Sequence, residues 1–195
     1  MSIHSAGAVA GIHLNYLPIP RKPEPSSKDA ATNQYNNELA TWLAQDTAYA
    51  SIQGSRPETL AISLNDSPAG LASWMVEKMR AWSDCGGNIE NVFTKDEILA
   101  NVSMYWLSGT IGTSFYPYYW RHREGWPFGP ERPITCPTGY CEFPKEILRP
   151  PRRVAERTYQ NIARWTVMQK GGHFAAWEQP EELSADVREF FRTIR

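Results

Sequence analysis

Cysteine is scarce in this sequence: three residues in a chain of 195, at positions 85, 136 and 141. Cys136 and Cys141 lie five apart, Cys85 is remote, and no histidine stands near them at ligand spacing, so the pattern implies neither a zinc site nor any other metal or cofactor. An odd count with no secretory leader predicts reduced thiols and a cytoplasmic protein. Met1 to Leu17 has no basic start and no long apolar stretch, which argues against such a leader. No apolar run approaches the roughly 20 residues of a membrane-spanning helix. Neither charge sign dominates. Twenty Lys and Arg face 21 Asp and Glu, a net charge of −1, so no global field draws nucleic acid or an anionic surface. Internal repeats and low-complexity tracts are missing too.

What is present is apolar and aromatic. The hydrophobic fraction is 42%, and eight Trp, nine Tyr and seven Phe supply bulk for a core. The length suits one domain of ordinary size. Ala8 to Asn15 reads as a short buried strand, bounded by Tyr16-Leu17-Pro18. Pro18 to Asp29, with four prolines, reads as loop. From about Asn33 to Tyr119 the pattern is helical. Asn65-Asp66-Ser67-Pro68 offers cap residues and a first-turn proline, and Leu71, Trp74, Met75, Met79 and Trp82 then share one face. Thr94-Lys95-Asp96-Glu97 matches a capping box ahead of Ile98, Val102 and Tyr105. Further on, Gly139 to Phe143 and Arg164 to Met168 read as strands, with helical potential from Arg153 to Tyr159 between them. Pro180 opens a last helix that places Leu183, Val187, Phe190, Phe191 and Ile194 at core spacing. Strand, helical block, strand, helix, strand, helix is an α/β order carrying an all-helical insertion.

Glu146 follows one strand by three residues, and His173 follows the next after a Gly-Gly turn. Functional groups of open α/β sheets collect at the carboxyl ends of strands. A carboxylate and a histidine in that order suit the acid–base half of a triad. Spacing alone leaves open that they are a surface glutamate and a loop histidine.

Longer stretches are more specific. Tyr49-Ala50-Ser51-Ile52-Gln53-Gly54-Ser55-Arg56-Pro57-Glu58-Thr59 and Leu64 to Leu71 resemble the cap domain of microsomal-type epoxide hydrolases, of the α/β-hydrolase superfamily. The resemblance continues through Glu77 to Trp82, Tyr105 to Ile111 and Phe143 to Glu146, and ends with Gly171 to Glu181. It implies a partial α/β-hydrolase fold: a first core strand and linker over residues 1–29, a helical cap over 30–130, and the last part of the core over 131–195.

The resemblance also implies a chemistry. An aspartate attacks the epoxide carbon to give an alkyl-enzyme ester, two cap tyrosines hydrogen-bond the epoxide oxygen, and a histidine oriented by an acid activates the water that cleaves the ester. Carried over by motif, His173 is the base, Glu146 its partner, Tyr49 the first tyrosine and Tyr118 the second, with Tyr116 and Tyr119 as near neighbours of the last. The substrate implied is a small lipophilic epoxide, with Trp74 and Trp106, beside Trp42 and Trp120, available to line a pocket.

The family's nucleophile stands in a small-x-Asp-x-Gly elbow, which this sequence lacks; that feature belongs before Ala8. The chain therefore resembles the C-terminal half of the enzyme. Two other readings stand beside catalysis: an inactive truncated homologue, or an interaction module. A homo-oligomer or a complementing N-terminal fragment is the partner implied, because half a parallel sheet would leave an apolar edge unpaired.

Overall fold

The computed structural model describes residues 8–25 and 29–194. Met1 to Gly7, the first part of the Met1–Leu17 stretch, and Ser26 to Lys28 of the linker lie outside the described residues. The chain divides into two compact units, residues 1–43 with 126–195, and residues 44–125.

The first unit holds a three-stranded parallel sheet in the order β1 (Ile12–Leu14), β2 (Thr138–Glu142), β3 (Ile162–Val167). Register pairs Ile12 with Thr138 and Leu14 with Tyr140, then Tyr140 with Trp165 and Glu142 with Val167. β1 is shorter than the apolar run suggested. Its ladder opens where Ile12 donates to the Pro137 carbonyl at 2.9 Å, and a proline has no N–H to return. α1 (Ala30–Gln45) lays Tyr35, Leu39 and Trp42, spaced one helical face apart, into a buried cluster with Leu17, Ile19, Tyr140, Leu148 and Tyr159. That burial is why α1 belongs with the sheet rather than with an insertion starting at 30. Trp126 and Phe128 end the insertion earlier than 130 for the same reason: Phe128 packs on this cluster, and Trp126 lies edge-on to it under Arg21.

Between β2 and β3 helical potential yields only one turn, α8 (Arg152–Ala155). The chain beyond it is drawn into a parallel bridge, Ile134 with Tyr159, in which Ile134 donates to Thr158 at 2.7 Å. A single turn, α9 (Ala175–Glu178), precedes α10 (Pro180–Arg192), which carries proline in its first turn and buries Phe190 and Asp186. Gly139 makes the room for α10: a Cβ there would stand 2.8 Å from the Phe190 ring.

The second unit is helical: α2 (Ala48–Ser55), α3 (Pro57–Asp66), α4 (Pro68–Trp82), α5 (Lys95–Ser108), α6 (Ile111–Ser114) and α7 (Tyr116–Glu124). Its boundaries follow local signals. Ser67 accepts from the Gly70 amide with Pro68 in the first turn, and Thr94 and Glu97 form a reciprocal capping box. Leu64, Leu71, Val102, Ile111 and Phe115 make its core. No helix among the described residues is long and apolar enough to cross a membrane.

Candidate active site

Phe143, fully buried against Cys141 and Ala175, anchors the chain as it leaves β2. Two residues on, the Lys145 amide donates to the Gly171 carbonyl at 3.1 Å, which ties the segment after β2 to the one after β3. Gly171 is obligatory on two counts. Its φ is +102°, and a Cβ would lie 2.8 Å from both Phe143 and Gln179. The turn it makes delivers His173 opposite Glu146, with Nδ1 2.6 Å from Oε1.

Glu146 is 5% exposed. Oε1 also accepts from the Ile147 amide at 2.6 Å, whereas Oε2 meets no hydrogen-bond partner among the described residues. The imidazole is about a quarter exposed and stands edge-on to Tyr16 and Phe174 at centroid distances of 5.6 and 5.4 Å, and the His173 main-chain carbonyl accepts from the Asn15 side-chain amide. When Nδ1–H donates to a buried carboxylate, the neutral ring keeps its lone pair on Nε2. Chemically, such a dyad can take a proton from water and hold the imidazolium that results.

In the helical unit Tyr49, in the first turn of α2, and Tyr118, in α7, meet with ring centroids 5.7 Å apart and planes at 76°. Gly54 allows the approach, because a Cβ there would fall 3.1 Å from the His122 Cβ and 3.3 Å from the Tyr118 carbonyl. Of the two neighbours, Tyr116 is 58% exposed and Tyr119 lies under the Arg123 guanidinium at 4.3 Å. Trp74 and Trp106 pack half-buried on the Leu64–Phe115 core, Trp42 is buried in the sheet unit, and Trp120 is 58% exposed.

Two groupings went unread in the sequence. In the helical unit Asp46 accepts from Lys78 Nζ at 2.6 Å and from Trp82 Nε1 at 2.8 Å, and Lys78 lies over the rings of Tyr49 and Trp82. In the sheet unit Asp186 receives His13, Arg164 and Thr166, all within 2.8 Å. Burial would push the Asp186 carboxyl up, but those three donors outweigh it and hold it below the ordinary 3.8. With Cys141, His13 and Asp186 bring three ligand-type atoms within 4.8 Å of one another. Both Asp186 oxygens are already taken, and burial pushes the Cys141 thiol up to about 12, so the grouping is a charge knot rather than a ligand set. Partners 173 residues apart leave no local signal. As for a nucleophile, the one Asp-x-Gly in the sequence is Asp84-Cys85-Gly86; it stands behind Trp82-Ser83 and follows a helix, α4, rather than a strand.

No family model matches the chain. A relative from Stigmatella aurantiaca is 35% identical over 188 residues, covering 96% of this chain and 42% of its own length. Epoxide hydrolase 1 of Sus scrofa is 35% identical over 156 residues, 76% of this chain and 34% of that protein. Among solved structures, juvenile hormone epoxide hydrolase from Bombyx mori superposes with a TM-score of 0.81 at 25% identity over all of this chain and 51% of its own. The Aspergillus niger epoxide hydrolase gives 0.79 at 28% identity, with 49% of its chain covered. The chain thus spans a third to a half of the proteins it matches. On these likenesses and on the parallel β1–β2–β3 sheet with its helical insertion, it belongs to the epoxide hydrolase family of the α/β-hydrolase fold.

Proposed function

We propose that this chain supplies the ester-cleaving base and the oxygen-polarising phenols of an epoxide hydrolase that opens lipophilic epoxides to vicinal diols. The observation that carries the reading is the 2.6 Å contact between buried Glu146 and His173 at the ends of adjacent parallel strands. A dyad held this firmly by a carboxylate suits activation of water against an ester carbonyl. Tyr49 and Tyr118 fit the other half of the reaction. Two phenol O–H donors stabilise negative charge as it grows on the epoxide oxygen when the ring opens. In the balanced sequence a carboxylate attacks one epoxide carbon, the C–O bond breaks, and the alkoxide takes a proton from a tyrosine. Water deprotonated by His173 then attacks the ester carbonyl. The ester C–O bond breaks, the released diol oxygen takes the proton left on the attacking hydroxide, the carboxylate is restored, and the imidazolium proton returns to the tyrosinate.

The attacking carboxylate belongs to an elbow that these 195 residues do not contain. Paired with a protein segment that carries it, the dyad and the phenols would complete the cycle. The test is co-expression of this chain with the part of its Stigmatella aurantiaca relative that precedes the matched region, assayed with styrene oxide. Diol formation is expected from the pair, with loss by at least a hundredfold in His173→Ala and in Tyr49→Phe/Tyr118→Phe; the chain alone stays at background. A pair whose turnover survives His173→Ala would overturn the assignment.

A further inference from the structure

Lys78 sits one turn from the end of α4, largely withdrawn from solvent, and its side chain is used by nothing in the reaction just described. Its ammonium is placed with care. Asp46, just ahead of α2, receives Lys78 on Oδ1 at 2.6 Å and the Trp82 indole N–H on Oδ2 at 2.8 Å, so one carboxylate fixes both side chains. Glu77 adds a second anchor at 3.0 Å. The cation that results lies 5.1 Å from the centroid of the Tyr49 ring and 5.3 Å from that of Trp82, inside the range of a cation–π contact with each. Trp82 itself meets Tyr49 edge-on at 5.3 Å. The Tyr49 ring is therefore bounded by Lys78, Trp82 and, across α7, Tyr118.

We infer that Lys78 is a positioning residue for the Tyr49 phenol, fixing the plane of its ring and drawing electron density from it so that the O–H becomes a stronger hydrogen-bond donor. The inference rests on the reading of Tyr49 as a donor to the epoxide oxygen. A cation over the ring face favours charge on the phenol oxygen, which is the direction in which that O–H must polarise as the alkoxide forms. The ammonium stays charged while it does so. Burial would lower Lys78, but its bonds to Asp46 and Glu77 outweigh that and raise it above its usual value. Asp46 makes the arrangement rigid rather than merely attractive: a free lysine over a ring would lose its place to rotamer entropy.

Other charged and titratable groups border the same rings. Arg121 of α7 stands 5.3 Å over Tyr118, and His122 packs beside Gly54 of α2. Both residues are retained in every variant below.

The experiment is a pH titration of the whole chain labelled with 13Cζ-tyrosine, with Tyr49 assigned by Tyr49→Phe. Lys78→Met keeps the length and fills the space without the charge, and it is expected to move the Tyr49 midpoint upward in pH. Lys78→Arg restores a cation and is expected to return the midpoint most of the way. A part that was only structural would leave the midpoint unmoved by Met, or moved alike by Met and Arg; either result overturns the inference. Styrene oxide added to the unmodified chain separates the two layers of the argument. It is expected to perturb the Tyr49 resonance, and a resonance that ignores it removes the donor role on which the purpose of Lys78 depends, whatever the titrations show.

Discussion

The helical unit and the sheet unit are held together by different kinds of information. In residues 44–125 the contacts that set where α4 and α5 begin are local: Ser67 caps α4 three residues ahead of Gly70, and Thr94 and Glu97 close α5 across three positions. In the sheet unit the contacts that tie the elements together are distant. His13 reaches Asp186 across 173 residues and Glu146 reaches His173 across 27. The lesson is about robustness as well as legibility. A local cap can be lost for the cost of one hydrogen bond, whereas a buried charge stripped of its partner costs several times as much. Substitutions that strike the two kinds of contact should therefore separate cleanly in size.

Asp186→Ala carries the largest expected effect. It leaves the Arg164 guanidinium and His13 facing a void beside Phe190, and removing one partner of such a network typically costs about 3 kcal/mol or more. Amide hydrogen exchange in β2 and β3 should accelerate by roughly two orders of magnitude, at 1.4 kcal/mol per tenfold. The same carboxylate gives the sheet unit an acid limit. Because Asp186 is held below 3.8 in the folded chain, its stabilisation is complete above that pH and drains away as pH falls through the lowered value. Exchange measured from pH 5 downward should show β2 and β3 weakening below about 4, and Asp186→Asn should flatten that dependence.

Gly171→Ala comes next. A φ of +102° is strained for any residue with a Cβ, and that Cβ would press at 2.8 Å on Phe143 and Gln179. Strain and overpacking together cost about 3 kcal/mol. The signature that sets it apart from Asp186→Ala is local: the His173 ring resonances should lose the large shift that hydrogen bonding to Glu146 gives Nδ1–H.

These cases show how far the sequence could be read. The order of strands and helices was visible because hydrophobic period and cap residues are local, so α4, α5 and α10 start at Pro68, Lys95 and Pro180, where those signals sit. The Glu146–His173 contact was visible through strand ends and motif, and the pairing of Tyr49 with Tyr118 through motif alone. Membership of α1 in the sheet unit was not, since Tyr35, Leu39 and Trp42 make a face that could have packed on any apolar surface. Asp46, Lys78 and Trp82 were hidden for another reason. Two of them lie on a helix whose pattern is that of an apolar core face, and their shared partner is more than 30 positions away.

On the helical side, Thr94→Ala removes the hydroxyl that accepts from the Glu97 amide and is expected to cost about 1 kcal/mol, typical of a lost N-cap. Exchange should quicken in the first turn of α5 and hardly change in β2. A loss as large as that from Asp186→Ala would erase the contrast between the two units.

The smallest expected change in stability, Gly54→Ala, tests the site most directly. Alanine inside a helix gains about 1 kcal/mol over glycine from backbone entropy and propensity. Its Cβ, however, would stand 3.1 Å from the His122 Cβ and 3.3 Å from the Tyr118 carbonyl, tighter than ordinary contact, so α7 must yield by a few tenths of an ångström. The two terms oppose each other and are of similar size, and net stability should move by less than about 1 kcal/mol in denaturant unfolding. The displacement falls on the helix that carries Tyr118, and it opens the 5.7 Å approach to Tyr49. A pair of donors converging on one oxygen tolerates little misplacement, since an error of about 1 Å can cost around a hundredfold in rate. In the co-expressed pair, then, Gly54→Ala should fold like the parent yet lose more diol formation than Thr94→Ala, which weakens the unit but leaves the tyrosines in place. Equal activity of Gly54→Ala and parent would mean that the tyrosine spacing does not limit the reaction.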